Sequence, residues 1–142
     1  MIACKDRTGQ EALMALVRFG SFAIEWNRVY AMRRVVADGQ NALGEQLLLF
    51  VDDPQVPVGQ PAPPISDPER INAAWKQAKA DRRFGIFDTI AIDKSKVCAV
   101  SHNAASDEGT LSFDLGNGRC TMLKLDGELA CVILATIPEA KA

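Results

Sequence analysis

Five prolines, Pro54, Pro57, Pro61, Pro63 and Pro64, crowd the middle of the chain, and nothing else in it limits the fold as strongly. Each fixes its own φ and withdraws a backbone donor, so the stretch cannot lie inside a helix or a central strand. It reads as an extended connector over 54–66. Two PxxP spacings, Pro54 to Pro57 and Pro61 to Pro64, lack a basic neighbour and are taken as linker rather than as a groove ligand. With 142 residues the chain has the length of one domain. The connector then separates a first segment, 1–53, from a helix over 67–83 and a sheet over 85–138.

The first segment has mainly helical spacing. Thr8 is placed to cap a helix carrying Gln10 and Glu11 in its first turn, followed by Leu13, Leu16, Val17 and Phe19. Gly20 and Ser21 weaken it. Phe22, Trp26, Val29, Tyr30 and Val36 continue at spacings of three and four, with Gly39 as a C-terminal cap. Residues 22–26 also alternate, which keeps a strand open there. The wholly apolar run Leu47 to Val51 is assigned to helix. After the connector, Ser66-Asp-Pro-Glu69 has the form of a capping box, and Ile71, Ala74, Trp75 and Ala78 make one apolar stripe.

From Gly85 the period falls to two. Ile86–Ile92 and Val97–Ser101 flank the polar turn Asp93–Lys96 and read as a hairpin. A polar loop over 102–109 leads to a meander in which Asn117-Gly118 and Asp126-Gly127 are the two-residue turns. That register puts Leu111, Phe113, Leu115, Cys120, Met122, Leu129, Cys131, Ile133 and Ile137 on one face. Leu123, Val132 and Leu134 fall on the other, among polar residues. The expected fold is α+β: N-terminal helices packed on a C-terminal antiparallel sheet of about five strands.

Sixteen basic against eighteen acidic residues give a net charge of -2, which excludes the strongly basic balance of a dedicated nucleic-acid binder. Lys5, Asp6 and Arg7 interrupt the start before an apolar run forms, and charged residues break the longest apolar stretch, 12–36. No membrane association is expected, and the default location is the cytoplasm. The spacings of Cys4, Cys98, Cys120 and Cys131 fit no zinc pattern, so the cysteines are expected to be reduced, buried small hydrophobes, with Cys120 and Cys131 packed side by side. No metal or cofactor is expected.

The chemistry on offer is sparse. His102 is the single histidine. Cys98 would stand about 13 Å from it along a strand, too far to pair. Asp107 and Glu108 are the remaining candidates for an acid–base site with His102. Gly116-Asn-Gly118 contains G-x-G but opens no helix, so it is no phosphate cradle. Two basic clusters, Arg28/Arg33/Arg34 and Lys76/Lys79/Arg82/Arg83, are candidates for nucleic acid, the first within a possible helix-turn-helix over 13–36.

The leading expectation is a non-catalytic interaction module, such as an inhibitor, adaptor or assembly component of a bacterial or phage accessory kind. It would bind a protein partner or a second copy of itself through Leu123, Val132, Leu134, Arg33 and Arg34. The alternatives are a small enzyme at His102 with Asp107 or Glu108, and a nucleic-acid binder through the basic clusters.

Overall fold

The computed structural model describes residues 16–19, 22–36, 44–53 and 59–140. Its elements in chain order are β1 (Leu16–Phe19), β2 (Phe22–Glu25), a 3-10 turn (Trp26–Arg28), β3 (Val29–Val36), β4 (Glu45–Val51) and α1 (Pro68–Ala80). Then follow β5 (Phe84–Phe87), β6 (Ile90–Asp93), β7 (Val97–Asn103), β8 (Glu108–Gly116), β9 (Arg119–Asp126) and α2 (Gly127–Ala135). The expected Thr8, Gln10, Glu11 and Leu13 helix start, the Gly20-Ser21 break, the Gly39 cap, Cys4 and the Pro54–Pro57 spacing lie outside the described residues.

The expectation of N-terminal helices on one C-terminal sheet is overturned. Strands dominate among the described residues and form three sheets, ordered β1-β2, β4-β3-β6-β5 and β7-β8-β9. Residues 22–36 and 47–51 belong to strands and a short turn, with neither helix nor helix-turn-helix. The reason lies in burial. β3 pairs with β4 on one side and β6 on the other, and both faces of this sheet are covered. A strand buried on both sides loses its polar alternation and then mimics helical spacing. Val29, Val35, Val36 and Tyr30 are the β-branched and aromatic residues that suit the strand.

Met32, Leu47, Leu49 and Ala91 face α1, whose Ile71, Ala74, Trp75 and Ala78 close the first core. This helix is where the stripe predicts it. Its N-cap is Asp67, one residue after the expected Ser66, and the cap carboxylate accepts from Glu69 N at 3.1 Å. Pro68 then occupies the first turn, where its missing N–H costs nothing. The second half of the proline connector lies antiparallel along the open edge of β4, through Leu47–Ile65 and Phe50–Pro61 bridges. A proline-bearing strip with few donors blunts that edge against further pairing.

The opposite face, with Tyr30, Ala31, Phe50, Ile90 and Ile92, meets the β7-β8-β9 sheet and α2 in a second core. Tyr30 packs on Phe113 with ring centroids 5.0 Å apart. The expected hairpin across Asp93–Lys96 does not form, because β6 pairs with β5 and β7 pairs with β8. That turn is the crossover between sheets. The buried Asp93 carboxylate anchors it, accepting from Ser95 N, Ser95 Oγ and Arg83 Nη1 at 3.0, 2.7 and 2.7 Å.

Asn117-Gly118 makes the expected turn, both residues having positive φ. The register past it is not the expected one. Asp114 pairs with Cys120 and Gly116 with Arg119, leaving Leu115 as an extra residue. One bulged residue exchanges the two faces of the partner strand. Leu123 and Leu125 therefore turn inward beside Leu111 and Phe113, while Cys120 and Met122 point outward, Met122 at 68% exposure. Asp126-Gly127 is no turn. Asp126 caps α2, its carboxylate accepting from Leu129 N at 2.8 Å.

Candidate functional site

β7 ends in a turn that folds back on itself, with Asn103 Oδ1 accepting from Ala105 N at 3.0 Å. Asp107 closes the turn at φ +53°, a left-handed conformation that aspartate tolerates better than most residues. Two glycines then let α2 lie close. A Cβ on Gly109 would run into the Ala130 side chain, and one on Gly127 would meet the Asp107 carbonyl oxygen at 2.7 Å. Because both are glycine, the helix settles onto the β7–β8 hairpin. Its fifth residue, Cys131, arrives over His102.

The result is a line of three groups. Asp107 Oδ1 stands 3.1 Å from His102 Nε2, and Cys131 Sγ stands 3.7 Å from His102 Nδ1. The His102 side chain is 21% exposed, Asp107 is open to water, and Cys131 is exposed. Nucleophile, base and orienting carboxylate follow one another in the order that thiol and hydroxyl nucleophiles use. With Asp107 accepting from Nε2–H, the Nδ1 lone pair faces the thiol. The carboxylate and the sulfur occupy opposite sides of the ring, so the three cannot converge on one cation. No group of three metal-binding side chains occurs among the described residues. The Cys131 amide lies within the helical ladder, so it is not free to serve as an oxyanion donor.

Of the expected acid–base residues, the structure brings Asp107 to His102. Glu108 stands beside Gly109, which pairs with His102, and so projects to the other face of β8.

A second feature adjoins this line. Phe87, Ile92, Val97, Val100, Ile133 and Ile137 line a groove of about 270 Å³ between α2 and the strands, with Lys94 and Thr136 also at its wall. Ile137 is 47% exposed there. Val100 and His102 lie two residues apart on β7, as do Ile133 and Cys131 on α2, so groove and thiol share the same two elements.

The expected interaction residues are dispersed. Leu123 packs against the second core from β9, Val132 is on the exposed side of α2, and Leu134 lies about 200° around the helix from it. Arg33 pairs across to Leu48 and Ile90 of the second core, whereas the Arg34 guanidinium lies 5.2 Å from the Trp75 ring on the α1 side.

The basic clusters are partly committed to internal partners. Arg34 Nε and Nη2 donate to the Glu45 carboxylate at 2.9 and 2.5 Å. Hydrogen bonding between them raises the guanidinium pKa and lowers that of the carboxyl. Arg28 holds Glu25 and the Asp52 carbonyl. Arg83 donates to Asp93, Asp81 and the carbonyls of Trp26 and Val29, tying the 3-10 turn to the start of β5. Lys76, Lys79 and Arg82 stand on the exposed surface.

The described cysteines, Cys98, Cys120 and Cys131, are free and exposed, which corrects the expectation of buried thiols. Cys120 and Cys131 are on different elements, outside any shared packing. Sequence reasoning missed Cys131 as the partner of His102 because it put residues 128–137 on a strand. The signal that finds the helix is an aspartate cap followed by Glu128 in the first turn. No protein family, curated protein or solved structure matches this chain.

Proposed function

We propose that the chain is a non-catalytic binding module that seats an apolar, acidic segment of a partner protein in the groove between α2 and the strands. The observation that carries this reading is the groove's lining, six apolar side chains with Lys94 beside them. An aliphatic side chain fills such a space, and a carboxylate next to it complements the lysine. Burying one leucine side chain contributes about 1.5–3 kcal/mol, roughly tenfold to a hundredfold in affinity.

The test is a titration of a blocked Asp-Leu-Leu-Asp peptide into methyl-labelled protein, followed by NMR. Shifts confined to Val97, Val100, Ile133 and Ile137 are expected. Ile137→Glu should weaken binding about tenfold or more, and Lys94→Glu should weaken it further at low salt. Absence of shifts at millimolar peptide, or binding indifferent to Ile137→Glu, defeats the reading.

A further inference from the structure

We propose that Cys131 is a nucleophilic thiol that undergoes exchange with disulfides from solvent, His102 acting as its base. This goes beyond the groove reading and does not depend on it. The three described cysteines are all exposed, so access alone does not separate them. Their neighbours do. Cys98 Sγ lies 3.5 Å from the carbonyl oxygen of Ser112, which can only accept the thiol proton's hydrogen bond and is no base. Cys120 is on the outer face of β9, paired across from Asp114, whose carboxylate accepts from Gly116 N at 2.9 Å. Cys131 alone among them has an imidazole nitrogen against its sulfur, at 3.7 Å.

The step balances without any added oxidant. His102 Nδ1 takes the thiol proton as the Cys131 sulfur attacks one sulfur of a disulfide. The new bond joins Cys131 to that half, and the old sulfur–sulfur bond breaks. The leaving thiolate recovers the proton from His102, so one thiol and one disulfide enter and one of each leave. Asp107, on the far nitrogen at 3.1 Å, is a positioning residue that fixes the ring with its lone pair toward the thiol. The Cys131 amide is engaged in the helical ladder and so is no oxyanion donor, a group that acyl transfer needs and disulfide exchange does not. Disulfides therefore fit this site better than esters or amides.

The experiment incubates the full chain with 2-hydroxyethyl disulfide near neutral pH, quenches with acid, and maps the mixed disulfides by mass spectrometry. General-base assistance in enzymes contributes about 10²–10⁴; for an open surface pair, modification of Cys131 about tenfold faster than Cys98 and Cys120 is expected. His102→Gln should bring Cys131 down to their rate while leaving Cys98 unchanged, with an unaltered far-UV circular dichroism spectrum and urea melt certifying that the variant is folded. Asp107→Asn should give an intermediate Cys131 rate. In His102→Gly, added imidazole should restore part of the loss, an effect that a purely structural histidine does not produce. Equal rates at the three cysteines in the unaltered chain overturn the proposal, as does a Cys131 rate indifferent to His102→Gln.

Discussion

Tyr30 shows how much one side chain is made to do at the junction of the two sheets. It is 3% exposed, with its ring against Phe113 and Phe50. Burial raises its pKa, and hydrogen bonds with the Gly59 backbone and the Thr121 side chain pull the other way. Gly59 is part of the same fit, because its φ is +86° and a Cβ there would come within 2.9 Å of Thr121 Oγ1. The folded protein therefore favours the neutral phenol more than the unfolded chain does. The sign follows: this contribution to stability is fully present below the ordinary tyrosine range and is lost as pH rises through the higher folded value. Tyr30 is the only tyrosine, so tyrosinate absorbance reports it without assignment. Titration should run later than for free tyrosine, and Thr121→Val should delay it again by removing a partner of the ionised oxygen. A normal titration in the folded protein contradicts the buried, hydrogen-bonded hydroxyl.

At the scale of elements, α2 depends on the near-contact of Gly109 with Ala130. Ala at position 109 meets the Ala130 side chain and has Ser101 O at 3.3 Å. Overpacking of this kind costs about 1–3 kcal/mol. Ala130→Gly should cost about 1 kcal/mol from helix propensity plus lost burial. In the double variant the clash partner is gone, so urea melts should give a combined loss smaller than the sum of the two. Additive losses mean that helix and hairpin do not touch here.

The same elements show what a sequence makes visible. α1 is readable, to within one residue at its cap, because its cues converge: the Ser66–Glu69 capping pattern, Pro68, and Ile71, Ala74, Trp75 and Ala78 on one stripe. The turn at Asn117-Gly118 was readable too, because few dipeptides tolerate two positive φ values. The register beyond it was not, since the bulge at Leu115, beside Gly116 at φ +91°, moves the pairing by one residue, and the turn dipeptide alone does not announce it. Asp126-Gly127 serves equally as a hairpin turn and as a helix cap with its first residue. The His102–Cys131 pairing depended on that choice, so half of the candidate site stayed hidden.

For the whole molecule, the decisive ties join segments far apart in the chain. Asp81, just past α1, accepts from Trp26 Nε1 at 2.8 Å and from Arg83, while Arg83 also holds the crossover at Asp93. Long-range closure of this kind has no signature in a window of sequence, which is why β1–β4 could pass for helices when read alone. Burial opposes the charge on Asp81, yet bonds from the Arg83 amide and Trp26, with the Arg83 charge, hold its pKa below the usual aspartate value. Glu45 is lowered likewise through Arg34. For both carboxyls the folded value lies below the unfolded one, so the unfolded chain binds protons first as pH falls. Their stabilisation is complete above the ordinary carboxylate range and disappears as pH drops through the depressed folded values. Stability from urea melts should therefore decline below about pH 4.5, with tryptophan fluorescence changing as Trp26 loses its partner. Asp81→Asn keeps the shape of the acceptor and removes its charge, so it should lower stability at neutral pH and flatten the acid limb. If the variant retains the full acid slope, the proton uptake occurs elsewhere, and the Trp26–Asp81–Arg83 tie is not what holds the first strands to the rest of the molecule.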